Sequence, residues 1–180
     1  MTAAAGTVAR FDAASDRFFD RLRGRPKLDR IMYAASELGD HSLIWLIAAT
    51  TTAALGDEAA ERRALRLAVG LGIESALVNG PIKAMFGRER PTSSPEERAH
   101  RLRTPRTSSF PSGHASAAAC AVVLTAGRQR PWTTTAMVLV ATVVAASRIH
   151  VRIHHGSDVV GGVVVGAAIG RSIRRKWPLR

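Results

Sequence analysis

Three separate segments of this sequence carry basic, hydroxyl and imidazole side chains at short spacings. The first reads Lys83-x6-Arg90-Pro91, the second reads Pro-Ser-Gly-His and ends at His114, and the third reads Ser-Arg-x5-His-x3-Asp over residues 147–158. Lysine and arginine bind the oxygens of anionic groups, and the guanidinium fork does so in bidentate geometry. Histidine can transfer a proton or act as a nucleophile near neutral pH. The combination indicates chemistry on a phosphate or another oxyanion.

The second segment stands directly before an apolar run at residues 115–126 and predicts the start of a helix. Ser109 is a candidate N-cap, and Pro111 suits the first turn. Gly113 has no side chain, so the backbone can lie close to a ligand there. Exposed N–H groups at a helix start suit a phosphate, and the adjacent His114 could supply a proton. Taken alone, this segment is also compatible with an ordinary helix cap.

In this order and spacing, the three segments resemble the three-part signature of the type-2 phosphatidic acid phosphatase superfamily, which also contains vanadium haloperoxidases and bacterial class A acid phosphatases. The resemblance covers roughly residues 80–160, and every signature position is filled. It implies phosphoryl transfer with cationic side chains in place of a metal ion, and no cofactor. The chain departs from many relatives in having Gly156 where they have proline, which loosens the turn between His154 and Asp158.

The resemblance also implies a role for each signature residue. His154 would attack phosphorus to form a phosphohistidine that water then hydrolyses, and Asp158 would hydrogen-bond the other imidazole nitrogen and fix its tautomer. His114 would donate a proton to the leaving oxygen and then help to activate water. The residues expected to bind the phosphate oxygens are Lys83, Arg90, Ser112, Gly113 and Arg148. Spacing alone does not separate the roles of His114 and His154.

Other histidines match no signature position. Of these, His41, His150 and His155 are predicted to lie at the surface or at helix ends. His150, His154 and His155 together could suggest metal binding, but Asp158 is the only carboxylate near them in the sequence. We therefore predict no metal site.

Glu74 lies in a segment, residues 64–86, that predicts a helix kinked at Gly80-Pro81. An ionised side chain inside a membrane span is costly unless it is paired. Ser75, Asn79 and Lys83 recur every four residues and share one helix face. Glu74 falls off that face, so we expect it to have a structural partner on a neighbouring helix.

The elements that must position these residues are predicted to be helices. Four runs contain no charged side chain, and they cover residues 42–56, 115–127, 131–147 and 159–170. Each is shorter than the ~20 residues of a complete span, so they are either buried helices of a soluble bundle or short spans with polar ends. Their Ala, Val, Gly and Thr content favours membrane spans. Gly162, Gly166 and Gly170 suit close helix contacts.

The N-terminal part completes the predicted architecture. After a loose tail at residues 1–9, residues 10–23 repeat apolar side chains at helical spacing, which predicts an amphipathic helix at a membrane surface. We expect an all-α membrane helix bundle of about five to six helices with this amphipathic helix before it. The expected division is 1–26 for the tail and interfacial helix and 27–176 for the bundle.

The charge of the chain is strongly positive. Its 180 residues carry 26 Lys and Arg against 14 Asp and Glu, a formal net charge of +12. This balance suits phosphates, anionic lipids or nucleic acid. Nucleic acid is not an expected partner, because the basic residues are split between two ends of the bundle without an aromatic-studded patch. The single cysteine, Cys120, excludes an internal disulfide and is predicted to be a buried thiol.

Alternating helix directions put all three signature segments at one end of the bundle. If residues 27–38 also cross the membrane, the opposite end receives 17 Lys and Arg and the signature end receives nine. The positive-inside rule then predicts an integral cell-membrane protein with an extracytoplasmic active face. If residues 27–38 do not cross, seven charges change ends and the count becomes 10 against 16.

The leading functional hypothesis is a membrane phosphatase that acts on a lipid phosphate. The candidate substrates are phosphatidate, phosphatidylglycerophosphate, a polyprenyl phosphate or diphosphate, and a polyprenyl-phosphosugar phosphate. One alternative is a catalytically silent lipid-binding or scaffold protein, against which the intact signature argues. The other is a vanadate-dependent haloperoxidase, whose relatives are generally much longer and soluble. The sequence does not indicate an oligomeric state.

Overall fold

The computed structural model describes residues 3–91, 107–126 and 131–179, and all regular structure in these ranges is helical. The α-helices of the described residues are α1 (Ala3–Asp20), α2 (Pro26–Leu38), α3 (Leu43–Leu55), α4 (Glu58–Leu77), α5 (Gly113–Thr125), α6 (Pro131–His150) and α7 (Gly156–Lys176). A 3₁₀ turn at Asp40–Ser42 joins α2 to α3, and α4 continues into a π-helical segment at Val78–Ile82. The predicted all-α class is confirmed.

Local sequence explains where α4 begins and ends. Asp57 caps the helix, because its Oδ1 accepts the Ala60 N–H at 2.8 Å. The kink predicted at Gly80-Pro81 is present, with Gly80 at φ −95° and ψ −109°, outside the helical region. Proline cannot donate into the helical ladder, so the register changes there and the chain after it can turn toward the site.

The start of α5 differs from the prediction. Ser112, and not Ser109, is the N-cap, since its side chain accepts the Ala115 N–H at 3.5 Å. The Ser109 hydroxyl instead donates to the Glu89 carbonyl oxygen at 2.9 Å, and it thereby joins the end of the first signature segment to the second. Pro111 consequently lies before the cap, and the first turn of the helix begins at Gly113.

The closest helix packing in the bundle is that of α5 against α7. Gly162, Gly166 and Gly170 are buried on the face of α7 that meets α5. A Cβ built on Gly166 would lie 2.0 Å from the Ser116 carbonyl oxygen, and one on Gly162 would lie 2.4 Å from that of Ser112. The predicted stripe of small residues therefore lets two helix backbones come into contact.

The outer faces of the bundle are apolar. Residues 132–150 of α6 and the whole of α7 are long and apolar enough to cross a membrane, and α5 is a shorter apolar helix. Leu139 is 61% exposed and Val164 is 63% exposed. The interior is closed around Trp45, which is 1% exposed and belongs to a cluster from α3, α4, α5 and α6. Apolar side chains on the outside of such a bundle suit contact with lipid.

The first two helices lie against the end of the bundle where α6 ends and α7 begins. In α1, Asp12 Oδ1 accepts the Ser157 N–H at 2.8 Å. In α2, Asp29 Oδ1 lies 2.8 Å from His150 Nε2. The helix α1 begins at Ala3, so the prediction of a loose tail over residues 1–9 is wrong from residue 3 onward.

This placement changes the charge balance on which the predicted orientation depends. Asp29 near the start of α2 contacts His150, and the Ser36 carbonyl oxygen near its end lies 3.0 Å from His114 Nε2. Both parts of α2 therefore contact the signature end of the bundle, which is the arrangement expected if residues 27–38 do not cross. For that arrangement the sequence predicts 10 Lys and Arg at the far end and 16 at the signature end, and the described residues alone give seven and 12. The positive-inside rule no longer supports an extracytoplasmic active face.

Candidate active site

One cavity of about 360 Å³ collects residues from all three signature segments. Its wall includes Lys83 from the first segment, Gly113 and His114 from the second, and Arg148 and His154 from the third. The end of the kinked α4, the start of α5 and the end of α6 bring these residues together. The other three predicted site residues, Arg90, Ser112 and Asp158, surround the cavity without lining it.

Lys83 reaches the cavity just beyond the π-helical segment. Its Nζ donates to Asn79 Oδ1 at 2.9 Å, and the Asn79 amide donates to Ser75 Oγ at 3.1 Å. The predicted face of residues four apart is thus a hydrogen-bonded row along the wall. Burial, with smaller effects from Arg90 and Arg148, lowers the pKa of Lys83 to about 8.

The N-terminus of α5 lies beside the lysine. A Cβ on Gly113 would lie 3.6 Å from Lys83 Nζ and 3.2 Å from Asn79 Oδ1, so the glycine keeps the space next to the ammonium group open. Ser112 is fully buried, its hydroxyl caps α5, and its N–H donates to the Asp158 carbonyl oxygen at 3.0 Å. A contact between this hydroxyl and phosphate stays a prediction.

His154 lies between Arg90 and Asp158. Its Nε2 is 3.2 Å from Arg90 Nη1. Its Nδ1 is 3.6 Å from Asp158 Oδ2, which is longer than an ordinary hydrogen bond. Burial lowers the pKa of His154 to about 3, and Asp158 opposes that shift. The imidazole is therefore neutral at pH 7, and one ring nitrogen keeps the lone pair that a nucleophile needs.

A network of hydrogen bonds holds the Asp158 carboxylate. Arg88 Nη1 donates to Asp158 Oδ1 at 2.7 Å, and Arg88 Nη2 donates to Asp12 Oδ2 at 2.6 Å. Asp12 also accepts from the Ser157 N–H at 2.8 Å and from its hydroxyl at 2.9 Å. A side chain of α1 therefore helps to position the carboxylate beside His154.

The docking of α1 explains why position 156 is a glycine in this chain. A Cβ there would lie 2.4 Å from Ser15 Oγ and 3.1 Å from Phe11 Cε1, both in α1. A proline at this position would meet the same atoms. Glycine in place of the proline of many relatives thus leaves room for α1 to pack against the start of α7.

His114 has an aspartate neighbour of its own. Its Nε2 lies 3.0 Å from the Ser36 carbonyl oxygen and 3.1 Å from Asp40 Oδ1. Both neighbours are acceptors, so we assign a hydrogen to Nε2. The hydrogen bond from His114 lowers the pKa of Asp40, which is therefore ionised. Burial lowers the pKa of His114, and the hydrogen bond to Asp40 opposes that shift. Gly39 permits this approach, because a Cβ there would lie 2.5 Å from His114 Cδ2.

The two predicted phosphate-binding arginines are held differently. Arg148 is 3% exposed, its Nη1 donates to the Ser36 hydroxyl, and its Nε has no hydrogen-bond partner among the described residues. Arg90 donates through Nη1 to the Ile153 carbonyl oxygen and through Nη2 to that of Thr107, both at 3.1 Å. Arg148 therefore lines the cavity with an Nε–H group that can bind a phosphate oxygen. Arg90 is instead oriented by backbone carbonyl oxygens.

Glu74 also lies on the cavity wall. The Ser116 side chain of α5 interacts with its carboxylate, so the predicted partner on a neighbouring helix is present. The cavity is wide enough to be lined by the adjacent residues Glu74 and Ser75, which point about 100° apart on the helix. Glu74 is 2% exposed, and its Oε1 has no hydrogen-bond partner among the described residues.

Among the described residues, the three histidines outside the signature lie at the surface or at helix ends, as predicted. His155 is the N-cap residue of α7, and His41 is an exposed residue of the 3₁₀ turn at the cavity wall. His150 is the last residue of α6, where it is 3% exposed and contacts Asp29. Within the described ranges no group of three or more His, Cys, Asp or Glu side chains could hold a metal ion.

Four residues of the site were not found by sequence analysis, namely Asp12, Ser36, Asp40 and Arg88. Three of them come from the N-terminal 40 residues, and they reach the site only because α1 and α2 pack against it. For Arg88 a local signal exists, since it stands two residues before Arg90 in the first signature segment.

Comparisons with known proteins agree with this arrangement. The profile of the PAP2 superfamily matches residues 63–179. The decaprenylphosphoryl-5-phosphoribose phosphatase of Mycolicibacterium smegmatis is 36% identical over 146 residues, which is 78% of this chain and 74% of that protein. The crystal structure of Aquifex aeolicus LpxE superposes with a TM-score of 0.71 at 21% identity, over 89% of this chain and 92% of that one. The PAP2-type phosphatidylglycerolphosphate phosphatase of Bacillus subtilis superposes with a TM-score of 0.68 at 24% identity, over 97% and 87% of the two chains.

Proposed function

The chain belongs to the PAP2 superfamily, and from that premise we propose that it is a membrane phosphatase that hydrolyses a lipid phosphate through a phosphohistidine intermediate. The observation that carries the proposal is the cavity in which Lys83, Arg148, His114 and His154 meet. Two cations and two imidazoles on one wall suit a dianionic group that must be neutralised, attacked and protonated.

In the proposed first step, His154 attacks phosphorus and a P–N bond forms while the P–O bond to the leaving alcohol breaks. The neutral state of the imidazole, which follows from its burial, supports this role. The protonated His114 gives its proton to the leaving oxygen, and Asp40 stabilises the imidazolium beforehand. Lys83 and Arg148 hold the equatorial oxygens, and Arg90 lies beside the attacking nitrogen.

In the proposed second step, His114 accepts a proton from water, and the water oxygen attacks phosphorus. The P–N bond breaks, so inorganic phosphate leaves and His154 is again neutral. His114 therefore acts as the acid in the first step and as the base in the second, while His154 is the nucleophile and then the leaving group.

The proposed substrate is a polyprenyl-linked phosphosugar. The similarity to a decaprenylphosphoryl-5-phosphoribose phosphatase supports this choice over phosphatidate and phosphatidylglycerophosphate. The apolar outer faces of α6 and α7 support a substrate that stays in the bilayer while its phosphate enters the cavity.

Phosphate release from a panel of lipids tests the proposal. Detergent-purified protein should release phosphate from a prenyl-phosphoryl-5-phosphoribose in EDTA, because cationic side chains take the place of a metal in the proposed mechanism. The variant His154→Ala should lower kcat/KM by at least about a thousandfold, the scale expected for loss of a nucleophile.

His155→Asn is the matched control, because the neighbouring imidazole does not line the cavity and asparagine can still cap α7 at this position. It should keep kcat/KM within about twofold of the parent, as expected for a change outside the catalytic groups. Absence of phosphate release from every lipid phosphate would favour a silent lipid-binding protein and reject the proposal.

A further inference from the structure

The cavity wall has two chemically different parts. Lys83 and Arg148 supply the positive part, where the phosphate is proposed to bind. Glu74, Ser75 and Asn79, all from the last two turns of α4 and its π-helical continuation, form a second part that is rich in hydrogen-bond acceptors. We call these three residues the acceptor wall.

Glu74 is the unusual member of the acceptor wall. It is 2% exposed, and the Ser116 side chain of α5 interacts with its carboxylate, but Oε1 has no hydrogen-bond partner among the described residues. A buried acceptor without a donor costs free energy that a bound donor would recover. Since Glu74 lines the cavity, the donor can come from a ligand inside it.

The position of the acceptor wall relative to Lys83 specifies where that donor lies. The hydrogen-bonded row runs from Lys83 Nζ through the Asn79 amide to Ser75 Oγ, with bonds of 2.9 and 3.1 Å, so its polar atoms span at most about 8 Å. The cavity is at the C-terminal end of this helix, and Ser75 and Asn79 are exposed, so the row leads from the phosphate along the exposed face of α4 toward its N-terminal part. In a lipid substrate, the group between the phosphate and the apolar chain would occupy this stretch.

From this geometry we propose that the acceptor wall is a subsite for a hydroxyl-rich group that carries the scissile phosphate, such as a sugar. Glu74 Oε1 accepts a hydrogen bond from a ring hydroxyl, and the exposed side chains of Ser75 and Asn79 contact further hydroxyls. This inference rests on the proposed function, and it adds that the residues of α4 select the alcohol part of the substrate.

The other charged groups of the wall have partners of their own. Lys83 and Arg148 face the bound phosphate in the proposed mechanism, and Asp40, the second carboxylate that lines the cavity, lies 3.1 Å from His114 Nε2. Glu74 is therefore the carboxylate of the wall to which a ligand hydroxyl can donate. A hydroxyl-free lipid phosphate would leave Glu74 Oε1 without a donor.

Two matched amphiphiles test the inference: decyl ribofuranoside 5-phosphate and its 2,3-dideoxy analogue. They share the phosphate, the ring and the alkyl chain, and they differ only in the ring hydroxyls. The parent protein should prefer the hydroxylated compound by about tenfold or more in kcat/KM, because a site built around a hydroxyl rejects an analogue that lacks it.

The variant Glu74→Ala should lose most of this preference, with kcat/KM falling for the hydroxylated compound and changing little for the dideoxy analogue. Glu74→Gln keeps an acceptor oxygen and should retain part of the preference. Glu61→Ala is the control, because Glu61 is an exposed residue in the first turn of the same helix, and it should behave as the parent does.

The outcomes separate the two proposals. Equal loss on both compounds in Glu74→Ala would show that Glu74 supports the fold or the phosphate cations, and it would overturn the subsite. A preference for a 2-amino-2-deoxy analogue that Glu74→Gln abolishes would assign the wall to an ammonium group, and it would overturn the hydroxyl assignment. Failure of the parent protein to release phosphate from either compound, or from any lipid phosphate, would reject the proposed function itself.

Discussion

His154 and His114 each have an aspartate beside them, but the two pairs have different surroundings. Asp158 is fully buried and is held by Arg88, whereas the Asp40 side chain is 51% exposed. Burial lowers the pKa of both imidazoles, to about 3 for His154, which suits a neutral nucleophile. At His114 the hydrogen bond to the ionised Asp40 opposes the shift, which suits an acid. The environments of the two pairs therefore support the division of roles that residue spacing alone left open.

The exposed pair leads to a prediction about the leaving group. Asp40→Asn should lower kcat for an alkyl phosphate by about tenfold, the scale of one charge-assisted hydrogen bond, because His114 would hold its proton less well. The same variant should change kcat for p-nitrophenyl phosphate by only about twofold, since that leaving group departs without a proton. Equal losses on both substrates would mean that Asp40 supports the fold and not the acid.

The pKa of Lys83 predicts an alkaline limit to activity. Lysine loses its positive charge as pH rises through its pKa, so kcat/KM should fall above about pH 8, by about tenfold per pH unit. The measurement belongs between pH 7 and pH 10, where a phosphate monoester is already a dianion. Lys83→Arg should move the fall to higher pH, because arginine stays protonated. If the alkaline fall in kcat/KM stayed at the same pH in Lys83→Arg, the fall would belong to another group.

At the scale of elements, the site depends on how closely α5 and α7 approach. Ser112 and Asp158 start these two helices, and the backbone bond between them joins the second and third signature segments. Gly162 and Gly166 make that approach possible, because a Cβ at either position would meet a carbonyl oxygen of α5. Helix packing and catalytic geometry thus rest on the same contact.

Replacing one of these glycines with a larger residue should therefore lower the stability of the bundle. Gly166→Ala would place a Cβ 2.0 Å from the Ser116 carbonyl oxygen, and we expect it to cost about 3 kcal/mol or more, because the clash is with backbone. Gly72→Ala is the matched change, since a Cβ there would meet nothing within 4 Å, and it should leave stability the same or raise it by about 0.5–1 kcal/mol. Thermal unfolding in detergent, followed by circular dichroism, measures both. Equal melting temperatures would contradict the account of the α5–α7 contact.

Local signals in the sequence predicted the helices, the kink and the glycine stripe, because caps, prolines and residue spacing act within a few residues. They failed where a side chain had two possible partners. Ser109 and Ser112 both suit an N-cap, and only the pairing of Ser109 with Glu89 across the chain decides between them. Asp12 and Asp40 could not be predicted as site residues, because they reach the site through the docking of α1 and α2, which no local pattern specifies.

At the scale of the whole molecule, the first 40 residues form part of the catalytic end. Asp12 binds Arg88 and Ser157, Arg23 Nε donates to the His150 carbonyl oxygen at 2.7 Å, and Ser36 contacts His114. The chain then passes through α3 to α7 as an alternating bundle, with the basic end of α7 far from the site. The positive charges near the N-terminus consequently belong to the side of the site.

Cysteine labelling tests this arrangement. In a Cys120→Ala background, single cysteines replace exposed residues at Arg21, Glu58, Glu89 and Lys176. A membrane-impermeant maleimide applied to sealed vesicles should label positions 21 and 89 from one side, and positions 58 and 176 from the other. The side that labels Glu89 is the active face. If position 21 labelled together with position 176, α2 would cross the membrane and the docking of α1 would be wrong.

Rapid-quench labelling of the enzyme tests the central claim most directly. Substrate with ³²P in its terminal phosphate is mixed with the detergent-purified protein, the reaction is stopped in alkali within the first turnover, and the labelled peptide is sequenced. The account predicts an acid-labile, base-stable label on His154 that is absent from His154→Ala. A turning-over enzyme that carries no label, or a label on another residue, would contradict it.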